Sequence, residues 1–202
     1  MFSRRRLLAA AGGLAALDLV PATAAPAEPW AKKLLQAAQA QIGVTTRYAP
    51  AYARIGFPNG DVPREGGVCT DVIIRAYRDA FARDLQQLVH RDMAANFALY
   101  PKTWGLSRPD PNIDHRRVGN LQTFLRRHGR ALPVTRVATD YAPGDIYTCL
   151  LPGNLPHIGF VADKAGSDGA TPLIIHNIGQ GARLENRLFD FPLTGHYRYP
   201  VA

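Results

Sequence analysis

A thiol, an imidazole and a third polar group that orients the imidazole are enough to carry an acyl group through a thioester. This sequence offers all three in chain order. Cys69 follows a Gly66-Gly67 pair and opens a segment in which Val72, Ile73, Ala76, Tyr77 and Ala80 recur at helical spacing. That spacing predicts a helix from Cys69 to about Arg83. At a helix start the free N–H groups and the positive end of the dipole favour a thiolate, and the Cys69 N–H can donate to a developing oxyanion. Thr70 and Asp71 suit a first helical turn, although the Asp71 charge opposes a thiolate. His157 heads the run Ile158-Gly159-Phe160-Val161-Ala162, just after Leu155-Pro156. A base at a strand start is held rigidly and can reach a neighbouring helix terminus. Gly159 lies on the same face as His157 and leaves room above it.

The orienting group comes from Leu173-Ile174-Ile175-His176-Asn177. Alternation along a strand sends His176 and Ile174 to one face and Asn177 and Ile175 to the other, so one of the two polar residues can serve His157. His176 is the first choice and Asn177 the second. A competing use of the thiol is a disulfide, since Cys69 and Cys149 are the two cysteines of the chain. The glycine turn and helix start favour a nucleophile at 69, while Cys149 sits in the apolar run Ile146–Leu151, where an inert buried thiol is ordinary. Asp71 beside the sulfur, Asn177, and Asp114 and Arg116 from Asn112-Ile113-Asp114-His115-Arg116-Arg117 are the candidate substrate contacts. The paired arginines could grip carboxylates in a bidentate way. The same segment could equally be a loop stapled by its own salt bridges.

Around these residues the chain divides into helices followed by strands. Trp30, Leu34, Leu35, Ala38 and Ile42 predict a helix over Glu28–Ile42, closed by Gly43. Val44–Gly67 is rich in proline and glycine, and its length marks a functional surface rather than a connector. Further helices are expected over Leu85–Leu99 and Val118–His128. From Asp145 the period changes. Asp145–Leu151, Ile158–Ala162, Leu173–Asn177 and Gly195–Tyr199 are short β-branched or aromatic runs separated by turn residues. Helices followed by a strand meander make an α+β domain, the helices packed on an antiparallel sheet.

The 202 residues, 47% hydrophobic, suit one domain, expected over residues 28–202. The first 24 residues have the layout of a signal peptide: Arg4-Arg5-Arg6, an Ala/Leu/Gly run to Val20, and small residues at Ala22-Thr23-Ala24, with cleavage as late as residue 27. The paired arginines point to the twin-arginine route, hence to an exported, periplasmic or extracytoplasmic protein without stable membrane insertion after cleavage. Removing that leader lowers the net charge from +8 to +6. In an exported basic protein, anionic wall polymers and carboxylate-bearing peptides fit better than nucleic acid, though the basic residues are scattered with no long Lys/Arg block and a solvated surface explains most of them.

Four segments resemble the NlpC-type cell-wall endopeptidases and amidases, a branch of the papain-like fold: Val68-Cys69-Thr70-Asp71, Pro143-Gly144-Asp145-Ile146, His157-Ile158-Gly159-Phe160-Val161 and Ile175-His176. Where many of those enzymes have Asp-Cys-Ser-Gly, this chain has Val68-Cys69-Thr70-Asp71. Nearly the whole mature chain resembles family 1287 of domains of unknown function. That likeness rests on Gly60-Asp61-Val62-Pro63, Gly67–Ile73, Asn112–Arg117, His176-Asn177-Ile178-Gly179 and Gly195-His196-Tyr197-Arg198-Tyr199. The resemblance implies a cysteine peptidase or amidase acting on peptidoglycan or a related amide, with Cys69, His157 and His176 catalytic and no cofactor. Two rivals remain. One is a metal hydrolase gathering His157, His176, Cys69 and Asp145, for which no zinc-type spacing is present. The other is a non-catalytic wall-binding or partner-binding domain, which would carry a Cys69–Cys149 disulfide or lack a cleft.

Overall fold

The computed structural model describes residues 27–201, so the expected leader at residues 1–24 lies outside the described residues. Pro29 opens α1 (Pro29–Gln39) at a position where its missing N–H costs nothing, and Ala31, Leu34, Leu35 and Ala38 form the buried stripe. The helix stops three residues short of the expected Ile42. Gln41 instead sends its amide to the Val72 carbonyl at 2.9 Å, and Ile42 is left exposed. The chain then enters the long loop, which places a two-residue strand β1 (Arg47–Tyr48) parallel to β2 (Gly66–Gly67).

Next comes α2 (Cys69–Phe81), in which every residue from Cys69 to Tyr77 is buried. An amphipathic surface helix would leave one face open, so something must cover the polar side. The cover is the loop, and Arg75 is the tie. Its fully buried guanidinium donates to the Asp61 carboxylate, to Thr45 Oγ1 and to the Val62 and Gly66 carbonyls at 2.9–3.2 Å. Val68, the residue before the helix, offers no side-chain acceptor. Asp71 supplies the cap in the other direction, accepting from the Val68 N–H at 2.7 Å. The expected third helix divides into α3 (Leu85–Asn96), capped by Asp84, and a 3₁₀ turn over Phe97–Leu99. A second 3₁₀ turn, Asp114–Arg116, leads into α4 (Val118–His128), whose bounds match the expected ones.

The strands are β3 (Arg130–Ala131), β4 (Ile146–Leu151), β5 (Leu155–Ala165), β6 (Pro172–Asn177), β7 (Ala182–Glu185) and β8 (Leu193–Arg198). They form one antiparallel sheet in the order β3-β8-β4-β5-β6-β7. The α+β class is therefore as expected, helices on an antiparallel sheet. Alternation gives the sheet two buried faces. Ile146, Ile158, Phe160 and Ile175 pack in the main core with α1, α2 and α4, while Tyr147, Cys149, Val161 and Ile174 form a second cluster with Tyr141 and Leu188. Strand β7 was not expected. It is only four residues long with two charged members, and it returns from β6 through Gly179 and Gly181, both at positive φ.

Candidate functional site

The register of the sheet brings the polar residues of β5, β6 and β7 into a line. His157 Nε2 lies 2.9 Å from His176 Nδ1, and His176 Nε2 lies 2.8 Å from Glu185 Oε2. Glu185 faces Ile174 across β6–β7, so it shares the His176 side of the sheet and reaches that ring diagonally. The protons in this line follow from donor and acceptor chemistry. A carboxylate only accepts, so His176 carries its proton on Nε2 and presents a bare Nδ1. That nitrogen accepts from the N–H of His157 Nε2. His157 Nδ1 is thereby left with its lone pair, ready to take a proton. Tyr147 lies over the same junction, its hydroxyl 3.4 Å from His176 Nδ1.

Cys69 enters from the helix layer. Its sulfur accepts from the backbone N–H of Ile158, the residue after His157, and from the N–H groups of Thr70 and Cys69 itself. The thiol thus sits at the His157–Ile158 peptide, where β5 meets the start of α2. The His157 ring is hydrogen-bonded to His176 and not to Cys69. Cys149 is the Cα partner of His157 across β4–β5, and both cysteines are free thiols. Gly159 does not leave open space above His157. A Cβ there would lie 2.7 Å from the Tyr147 ring and 3.0 Å from His176 Cβ, so glycine is what lets those two side chains close over the base.

Burial sets the resting protonation state. It pushes the Cys69 thiol up to about 12, assisted by the Asp71 charge and opposed by the three N–H groups. It holds His157 down to about 3, with His176 and Arg187 adding to the effect. The resting pair is therefore neutral thiol and neutral imidazole.

The thiol opens onto a groove of about 360 Å³ walled by Tyr48, Trp104, Ile113, Val118 and Pro156. Tyr48 and Trp104 were not singled out in the sequence, because each stands alone in an irregular segment with no periodic pattern. Tyr48 pairs with Gly67, two residues before Cys69, and its phenol lies against the Cys69 thiol. Trp104 is held by the Arg117 guanidinium, 4.2 Å above its ring.

The four candidate substrate contacts fall elsewhere or are already engaged. Asp71 and Arg116 form a buried bidentate pair, with Arg116 Nε and Nη2 each 2.9 Å from a carboxylate oxygen. Arg116 lines the groove, but it also binds the Ala49 and Ala51 carbonyls and so ties the Tyr48 segment to the start of α2. Asp114 is buried, pairs with Arg117 at 3.1 Å and does not line the groove. Asn177 points to the helix side, where it donates to the Gly67 carbonyl at 3.0 Å. Asp145 gives its oxygens to His196, Arg198 and the Ala142 N–H, so it does not join the histidine line.

Two predictions arise here. Replacing Glu185 by Gln lets an amide donate to His176 Nε2, which reverses the proton order and blocks His157 Nδ1. If His157 serves as the base of the reaction proposed below, Glu185→Gln should lower kcat/KM by about 10²–10⁴-fold, as for a base held in the wrong tautomer. Glu185 is partly exposed, so the melting temperature should hardly move; unchanged kinetics would mean that the line carries no proton order. The second concerns acid. His115 is also buried, and burial lowers it to about 4. Between about pH 6.5 and 4 the unfolded chain binds protons that neutral His115 and His157 refuse. Stability is therefore complete above about pH 6.5 and falls as acid is added, by up to about 1.4 kcal/mol per pH unit for each ring. Urea midpoints at pH 7 and 5 measure this, and His115→Gln should remove part of the slope.

The fold and site define a class: an α+β domain with a cysteine at a helix start and a His–His–Glu line on its antiparallel sheet. The family model described as "Domain of unknown function (DUF1287)" matches residues 35–199, and the chain belongs to that family. It is also similar to "Uncharacterized protein YijF" of Escherichia coli (strain K12), 54% identical over 164 residues, which are 81% of this chain and 79% of the relative.

Proposed function

We propose that this protein is a cysteine-dependent amide hydrolase, a peptidase or amidase working through a thioester on Cys69. The observation that carries the reading is the His157–His176–Glu185 line, which leaves one nitrogen of His157 bare, while the Cys69 sulfur accepts from the backbone N–H of the next residue, Ile158. In the proposed reaction the Cys69 proton passes to His157 Nδ1 as sulfur attacks the amide carbonyl. The Cys69 N–H and the Tyr48 hydroxyl donate to the oxyanion. His157 then gives its proton to the departing amine, and the C–N bond breaks. Water attacks the thioester, His157 takes the water's proton, and the acid leaves with the thiol restored. An amine in place of water would give acyl transfer by the same thioester.

Cysteine at the head of α2 against a sheet-borne histidine supports a papain-like, NlpC-type domain. Residues 1–24 support export, which makes the peptides of peptidoglycan the first amides to test. The non-catalytic alternative called for a disulfide or a missing cleft, whereas both thiols are free and a groove opens on Cys69. The test is acid-quenched mass spectrometry of purified protein with wall fragments and simple amides. A mass gain of one acyl group mapped to residue 69, with release of the matching amine, supports the reading. Amine release without acylated Cys69, or none from any amide, counts against it.

A further inference from the structure

The charges around the groove say what it can hold. Among the described residues that line it, Arg116 alone carries a formal charge. That charge is matched at 2.9 Å by Asp71, and the Arg116 side chain is 3% exposed. The acidic groups behind the wall are engaged as well. Asp114 holds Arg117, while Asp110 accepts from the Tyr52 hydroxyl and from the Asn112 N–H and side-chain amide. A carboxylate or ammonium entering the groove would shed water and meet no unpaired counter-charge among the residues that line it.

The walls offer the opposite chemistry. Tyr48 and Trp104 keep 41% and 40% of their surface exposed beside a nearly buried sulfur, with Ile113, Val118 and Pro156 completing the lining. Large aromatic side chains left open next to a nucleophile are a binding surface for apolar groups. The Trp104 wall is also built to stay in place. Its ring packs toward Gly119, where an added Cβ would lie 3.7 Å from the indole and 3.3 Å from Pro101, and Arg117 clamps the ring from 4.2 Å.

We infer that the part of the substrate seated in this groove, next to the carbonyl that Cys69 attacks, is an uncharged apolar chain or ring. Acidic and basic residues are disfavoured there. This rests on the hydrolase reading for its reaction but not for its groove chemistry. It narrows the wall-peptide expectation to amides whose groove-bound side is neutral, and it sets aside the carboxylate grip first assigned to Asp114 and Arg116.

Three iodoacetamides with one common electrophile test it: the N-benzyl, the N-carboxymethyl and the N-aminoethyl compounds. Each alkylation rate at Cys69, located by peptide mass, is divided by the reagent's rate with free cysteine. The N-benzyl reagent should react at least about tenfold faster than either charged one. Trp104→Ala should erase most of that advantage, bringing the N-benzyl ratio close to those of the charged reagents. Equal rates, equally absent labelling, or a faster charged reagent overturn the inference. A parallel panel of aminocoumarin amides separates it from the parent reading. Cys69-dependent turnover that prefers acidic or basic acyl groups overturns the groove chemistry and keeps the hydrolase. An apolar labelling preference with no amide cleaved does the reverse.

Discussion

Cys69→Ala should reduce amide turnover to the uncatalysed rate, a loss on the order of 10⁴–10⁶-fold, in a protein that still folds. The size follows from chemistry. Without sulfur no thioester forms, and water would have to attack the amide directly. The fold should survive because the change keeps Cβ and removes one buried thiol, which costs on the order of 1 kcal/mol. Circular dichroism and a melting curve confirm folding, and product release measures the loss. His157→Ala should fall to a similar floor, and the double variant should lose no more than either single one, since thiol and base act as one unit. Parent-like turnover in Cys69→Ala would move the chemistry to another part of the molecule. Cys149 is the obvious suspect, as the cross-strand partner of His157.

The second large effect is on stability. Asp71→Ala should destabilise the protein by about 3–5 kcal/mol, because it leaves the Arg116 guanidinium buried without its counter-charge. It also removes the acceptor for the Val68 N–H at the head of α2. Asp71 and Arg116 are 4% and 3% exposed at the side chain, so water cannot take over either partner's role. Replacing both, as Asp71→Ala with Arg116→Met, should recover part of the loss, and the cycle of urea midpoints gives the coupling directly. The same pair bears on the thiol. Asp71 raises the Cys69 pKa. Asp71→Asn, which keeps an acceptor for the cap, should therefore lower the pH at which Cys69 alkylates. Loss of stability below about 1 kcal/mol in the alanine variant would show that the pair is open to water.

Much of this was legible from spacing alone. The helix over Val118–His128 appears with the bounds read from its apolar period. The strand alternation that placed His176 opposite Asn177 is borne out in the side chains, one bonded to His157 and the other to Gly67. Local pattern succeeds there because burial on one face imposes a period that side-chain types must obey. It failed at Ile42, which fits the period yet is exposed, because a single side-chain bond from Gln41 redirects the chain. Glu185 was missed since a four-residue edge strand carries too few positions to establish any period.

The sequence by itself determined the α+β class, the helix that begins at Cys69 and the histidines that share one side of the sheet. Each depends on a pattern contained within a single element. Tertiary structure alone decided that Glu185 bonds His176, that Asp71 and Arg116 spend their charges on each other, and that Tyr48 and Trp104 wall the groove. Those outcomes join residues tens of positions apart, and a charge or ring in the sequence does not reveal which distant partner will neutralise or expose it. Chain folding makes that choice, by the packing it permits and the solvent it removes.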